Sequence, residues 1–204
     1  MVLGLSQPLS ACLPYGSPAI YFFLLPFYFS MSDFEDTWEL TLAEAMRRAQ
    51  TEGRADIAGY LDLRAQNDLL RRAATDWFTT TFTSLAAVAN RHGGGIQIEQ
   101  KNAHRFRRDS ATMVGTQLTL RRGVRALTIE SGWPRAPRDG IVRGAGLACA
   151  NIKHLGRARS NMELLLVHSS DGGTRWQVMH KSGEKSLLTD ADVRQHFSIL
   201  LSES

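Results

Sequence analysis

Cysteine is nearly missing from this chain: Cys12 and Cys149 are the only two in 204 residues, and they lie far apart. A disulfide framework and a C-x-x-C zinc site are thereby excluded, and a reducing, cytoplasmic compartment is the expectation. Lysine is almost as scarce. Lys101, Lys153, Lys181 and Lys185 stand against 20 arginines, an imbalance that suits bidentate recognition of anions and that a G+C-rich coding sequence produces equally well. Proline is absent from Pro26 to Pro134, and charge is absent before Asp33. No internal repeat and no low-complexity tract breaks the remainder.

The first thirty residues differ in character from the rest of the chain. The run Ala19–Phe29 is about half the ~20 residues that a membrane-spanning helix needs, and Pro26 interrupts it. It has no positive n-region before it and an acidic flank after it, contrary to export and topology signals. "LSAC", Leu9 to Cys12, resembles a lipoprotein box without the charged start such a box requires. Beyond Met31, Ser32-Asp33-Phe34-Glu35 fits a capping box. Residues 1–30 are therefore read as an extension upstream of the true start, with a membrane anchor or uncleaved leader as the alternative, and residues 31–204 as one domain.

Within that domain the hydrophobic period changes once. Phe34, Trp38, Leu42, Ala45, Met46 and Ala49 mark one helical face. A second helical stripe runs through Ile57, Leu61, Ala65, Leu69, Ala73, Trp77, Thr81, Leu85 and Ala89, with a break expected near Asn67-Asp68, and "TTTFTS" (79–84) is its most strand-like part. Gly93 to Gly95 close this helical half, residues 31–92. From Ile96 the period is two: Ile96 and Ile98; Val114, Leu118 and Leu120; Leu127 and Ile129 after a turn at Gly123; Ala145, Leu147 and Cys149. "MELLLVH" (162–168) is apolar on both parities, as a central strand is, and Asp171–Gly173 turns the chain into Trp176, Val178 and His180. Thr189-x-x-Asp192, with Leu188 and Val193 as a staple, opens a last helix over 189–202. The expected fold is α+β and two-layer: N-terminal helices and a C-terminal helix packed on an antiparallel meander of about six strands, spanning 96–181.

Motifs that carry chemistry are few. "HGGG" (92–95) resembles the oxyanion-hole segment of lipases and esterases, yet no G-x-S-x-G elbow accompanies it, so it reads as a helix terminator. "GAGLAC" (144–149) starts like a dinucleotide loop but lacks the third small residue and the following helix, so no cofactor is expected. No metal-ligand spacing occurs among the six histidines. An enzymatic pocket would have to draw on Cys149, His168 and His180.

Charge distribution is more informative. Residues 31–100 carry net −4, residues 101–159 net +10 and residues 160–204 net −2. If Phe106 points inward, Arg105 and Arg107 point out. With Arg121, Arg143, Lys153, Arg157 and Arg159 they form a candidate anion or nucleic-acid face. The competing reading is that the acidic helical half balances this block within the molecule. Arg125 stands out, because its parity matches the apolar Leu127 and Ile129. In the loop "SGWPRAPRDG" (131–140), Trp133, Arg135, Arg138 and Asp139 have the composition of a binding hot spot. Alternatively, Trp133 folds back over a sheet end. The function expected first is a non-enzymatic binding or adaptor module that meets an acidic protein or polyanion through this loop and sheet face. A phosphate-backbone nucleic-acid binder is the second reading and an enzyme the third. Membrane contact is not expected, and the N-terminal helices offer a homodimer face if the Phe34–Ala49 stripe is exposed.

Overall fold

A computed structural model of the chain describes residues 31–202. Residues 1–30, on which the leader reading rests, lie outside them, as do the side chains of Ser32, Phe34, Glu35 and Trp38. Two N-terminal helices, α1 (Met31–Thr51) and α2 (Ala55–Arg91), lead into seven strands: β1 (Gln97–Arg108), β2 (Ala111–Arg122), β3 (Arg125–Trp133), β4 (Ala148–His154), β5 (Met162–His168), β6 (Thr174–Met179) and β7 (Lys185–Leu187). Helix α3 (Asp190–Leu201) follows. The strands form one antiparallel sheet in sequence order, with the helices packed on it, so the α+β meander is as expected. The additional strand is β7, three exposed residues that pair with the outer edge of β6. Such a short strand leaves no readable period. No helix among the described residues is long and apolar enough to cross a membrane.

Helix α1 packs on α2 through the expected stripe, with Leu42 and Ala49 buried and Ala45 and Met46 partly so. The described part of that stripe is therefore used within the chain. Helix α2 departs from expectation twice. It runs unbroken for 37 residues, because Asp68 does not cap a new helix: its carboxylate takes Arg71 Nη1, one turn on, at 2.7 Å. Its buried face is also rotated from the predicted stripe. Thr75, Phe78, Phe82 and Ala86 turn inward, while Leu69 remains 62% exposed. Burial of Phe78 and Phe82 holds "TTTFTS" helical against its β-propensity, a case of packing overriding local preference. The helix ends where the glycines begin: the amides of His92, Gly93 and Gly94 donate to Ala89 and Asn90 carbonyls. Asn90 then holds the Ile96 backbone through both amide atoms, at 2.7 and 2.8 Å.

Alternation along the strands separates two faces. The face toward the helices carries Leu118, Leu120, Leu127, Ile129, Trp133, Ala148, Ala150, Ile152, Leu164, Leu166, Trp176 and Val178, which join Phe78, Phe82, Val193, Phe197 and Leu200 in the main core. β4 lies later than predicted, since the alternating residues that face this core are Ala148, Ala150 and Ile152, and Cys149 points to the opposite face. β5 is buried on both faces, as its pattern implied. α3 has the expected capping box between Thr189 and Asp192. Its C-terminal carbonyls are met by arginines: Arg122 donates to Leu201, and Arg125 to Ile199 and Ser202. The helix-side parity of Arg125 thus places a cation at a helix C-terminus.

On the opposite face, one end of the β1–β2 hairpin folds across the sheet. Phe106, Ala111 and Met113 cluster with Cys149 of β4 and Leu165 of β5, and Arg108 Nη1 reaches the Leu164 carbonyl at 2.9 Å. In a flat sheet β1 and β5 would stand roughly 19 Å apart. The bend falls where β1 has an irregularity between Lys101 and His104, with Ala103 at φ 53°. There Gly115 of β2 faces Gly132 of β3. A Cβ on Gly115 would stand 2.0 Å from the Ser131 carbonyl oxygen, and one on Gly132 2.7 Å from that of Val114. Substituting Gly115→Ala must push these backbones apart and is expected to lower stability by about 1–3 kcal/mol in urea unfolding. Gly59→Ala on α2, where nothing lies within 4 Å, should raise it by about 0.5–1 kcal/mol. Equal effects at the two sites would contradict the bend.

Candidate functional site

A groove opens where the N-terminal half of α2 passes the end of the sheet. On α2 the residues at helical spacing, Tyr60, Leu63, Arg64, Asn67 and Arg71, form one wall. The segment Pro134–Gly140 after β3 forms the other, with Trp133, Val114 and Arg105 along the base, and the cavity measures about 630 Å³. The volume falls in the range of ligand sites. Tyr60 and Leu63 are 63% and 56% exposed, so the wall is apolar at its mouth.

All four loop residues singled out from sequence line this groove, but in different roles. Trp133 is not a surface residue. It ends β3 in the main core, 2% exposed, and the Arg135 guanidinium lies 3.6 Å above its ring centroid, a cation–π contact. Asp139 is also buried. Its Oδ2 accepts from the amides of Arg135 (3.2 Å) and Ala136 (3.0 Å), which shapes the loop. Arg64 Nη2 donates to the Arg135 carbonyl at 3.3 Å. Arg71 bridges Asp68 and the Leu147 carbonyl, at 2.7 and 2.9 Å. Arg105 and Arg138 are exposed, and neither makes an ion pair among the described residues. Both carboxylates of the lining, Asp68 and Asp139, are thus engaged internally, against five arginines.

The other basic candidates lie on several elements, and Arg107 and Lys153 share one cavity. Arg107 is exposed on β1 and lines a second cavity of about 300 Å³ with Arg108, Asp109, Asn151, Lys153 and Glu163. Arg121 is exposed at the far end of β2, Arg143 lies on the loop before β4, and Arg157 and Arg159 lie on the β4–β5 connection. Cys149, His168 and His180 do not converge either. His168 pairs with Thr174 beside the turn, whereas His180 follows the other end of β6, about 20 Å along the strand. Burial pushes the Cys149 thiol up to about 11, which disfavours the nucleophilic thiolate.

A polar network that the sequence reading missed occupies the sheet face away from the helices. Glu130, 6% exposed, accepts from Lys153 Nζ and lies 3.0 Å from His104 Nε2 and 3.4 Å from Asn151 Nδ2. Burial alone would raise its carboxyl, but the bonds from Lys153, His104 and Asn151 outweigh this and hold it below its ordinary value. One signal was available: only Asp109, Glu130 and Asp139 are acidic in the +10 block, and two of the three are buried. Because the folded state holds Glu130 below its unfolded value, its contribution is complete above pH 4.5 and is lost as pH falls beneath it. Glu130→Gln should cost about 1–3 kcal/mol at pH 7 in chemical denaturation, and the gap from the unaltered chain should narrow by pH 3.5; a constant gap would show that the charge is immaterial. Comparison with protein-family models, with curated proteins and with solved structures found no match for this chain.

Proposed function

We propose that this protein is a non-enzymatic binding module whose groove between α2 and the loop after β3 takes an acidic, amphipathic segment of a partner protein. The observation that carries this reading is the lining itself: five arginines share one cavity with two carboxylates that are already bonded within the fold. From Tyr60 to Arg71 the α2 wall runs roughly 16 Å, the length of a three-turn helix. Apolar side chains of the ligand would meet Tyr60 and Leu63, and its carboxylates would meet Arg105 and Arg138 in the bidentate geometry guanidinium favours. The lining contains no histidine or cysteine among the described residues, so binding rather than nucleophilic or imidazole acid–base chemistry is the reading it supports.

Nucleic acid is the competing partner, favoured by the +10 charge of residues 101–159. Against it stands the placement of Arg143 on the loop before β4, at the end of the sheet opposite to Arg121, Arg157 and Arg159, since a duplex is best held by a continuous basic stripe. Fluorescence anisotropy with a labelled acidic leucine-containing peptide, a labelled duplex and a labelled single strand, at low and physiological salt, separates the two. The peptide should bind, and Arg105→Glu/Arg138→Glu should weaken it by about tenfold or more through charge reversal. Peptide binding indifferent to that reversal would sink the groove assignment. Nucleic-acid binding that collapses with salt, in the absence of peptide binding, would replace it with the phosphate reading. Trp133→Ala is unsuitable as the test variant, because it would empty part of the core.

A further inference from the structure

His154 ends β4, His196 lies in the middle of α3, and their rings meet inside the protein, independently of the groove. Both residues are buried. Nε2 of His154 lies 2.9 Å from Nδ1 of His196, and the rings stack with centroids 5.2 Å apart and planes 19° from parallel. A nitrogen–nitrogen contact of this length requires one ring to donate N–H and the other to accept with a bare lone pair. One added proton keeps a donor and an acceptor in the contact, at the cost of a buried charge. A second proton sets two N–H groups against each other and removes the bond.

The surroundings offer little relief for such charge. The His154 backbone amide donates to Asn161 Oδ1 at 2.8 Å, and the residue pairs with the apolar Leu127 of β3. Arg157, just beyond β4, repels a proton on His154. On α3, Asp192 lies one turn before His196 and favours its protonation. That carboxylate is already held by the Thr189 amide and hydroxyl at 2.8 and 2.6 Å, and His180 also acts on it. Arg122 and Arg125 stand at the C-terminal end of α3 and add positive charge. The Asp192 carboxylate thus serves His196 and His180, whereas His154 meets burial and the positive charge of Arg157.

We propose that the His154–His196 contact is an acid-sensitive latch that holds α3 on the sheet and releases it when the pair takes up protons. Helix α3 docks through Val193, Phe197 and Leu200, all in the main core, so release uncovers apolar surface of both the helix and the sheet. Burial, with His196 and Arg157 adding to it, pushes His154 down to about 4; burial likewise lowers His196, with Asp192 opposing. Both folded-state values lie below the ordinary 6.5, so the released state binds protons more readily. Docking is therefore at full strength above pH 6.5 and weakens as pH falls toward about 4. Most carboxylates stay ionised down to about pH 5, so the interval from 7 to 5 reports mainly on the histidines.

Amide hydrogen exchange of the full chain at pH 7 and pH 5, corrected for intrinsic rates, tests the latch. Protection of the α3 amides relative to those of β4 and β5 should fall by about tenfold or more, the change that one pKa unit of differential proton binding produces. In His154→Leu/His196→Leu, which keeps an apolar contact and removes both titrating groups, relative α3 protection should not change over that interval. If the double variant does not fold, histidine carbon-13 resonances of the unaltered chain give the second readout. Both midpoints should fall below 6.5 and coincide with loss of α3 protection. Unchanged α3 protection down to pH 5, an equal fall in the leucine variant, or midpoints at 6.5 or above would each overturn the proposal.

Discussion

Two phenylalanine rings on α2, Phe78 and Phe82, are buried between that helix and the sheet, and Phe78 meets the Trp176 ring of β6 at 4.8 Å between centroids. This contact fixes where the rest of the molecule lies. It is formed by the C-terminal half of a 37-residue helix, roughly 55 Å long at 1.5 Å per residue, so the N-terminal half extends beyond the part of the core that anchors it. That overhang needs another partner, and α1 covers one side of it through Leu42 and Ala49. On the other side it faces the loop after β3, leaving the groove between them. Truncating either phenylalanine would thus disturb the groove from a distance, by loosening the helix that forms its wall.

Arginine performs a second, less visible task in holding these parts together. Arg64, Arg71, Arg108, Arg122 and Arg125 each donate to a backbone carbonyl of a distant element: those of Arg135, Leu147, Leu164, Leu201 and Ile199 in turn. Those of Arg135, Leu147, Leu201 and Ile199 lie in loops or at a helix end, where a donor from elsewhere satisfies them, while that of Leu164 lies within β5. A planar fork with five donors can serve such an oxygen and a carboxylate together, as Arg71 does with Leu147 and Asp68; a single ammonium reaches two directions less readily. Part of the basic excess of residues 101–159 is therefore structural. Neither sequence reading of that block, an open phosphate-binding face or simple balance by the acidic helices, included this use.

The elements legible in sequence were those in which local chemistry and tertiary packing agree. Thr189 and Asp192 cap α3 because the capping bonds need only four consecutive residues. β5 was readable because a strand covered on both faces must be apolar at both parities. The remainder was set by long-range contacts. Asn67-Asp68 has the composition of a helix start, but in the fold Asp68 binds Arg71, which also reaches the Leu147 carbonyl, and α2 runs on through it. The Leu69–Trp77 stripe is as apolar as the true one, and the positions of Phe78 and Phe82 against Trp176 decide between them. At the site, the loop 131–140 was found by composition, whereas the α2 wall, 70 residues earlier in sequence, was not, because helical spacing cannot say which loop a face will meet. Glu130 was passed over for a related reason: its three donors come from β1 and β4, and strand pairing alone brings them together.

Glu130 and the groove differ in how far their polar groups are satisfied within the fold, and that difference underlies the binding proposal. Both are charged and partly enclosed. At Glu130 the carboxylate is buried but receives donors from Lys153, His104 and Asn151, so an incoming ligand would have to break existing bonds before forming its own. In the groove the balance is reversed: the carboxylates of Asp68 and Asp139 are already occupied, while Arg105 and Arg138 stand exposed without an ion pair among the described residues. Donors held only by water lose little when a carboxylate replaces that water, and they gain from apolar contact at Tyr60 and Leu63. A search for partners is therefore better directed at the groove than at the more conspicuous network on the opposite face. By the same reasoning, the His154–His196 pair is complete only while one of its nitrogens remains unprotonated, which under the latch proposal makes the docking of α3 sensitive to acid.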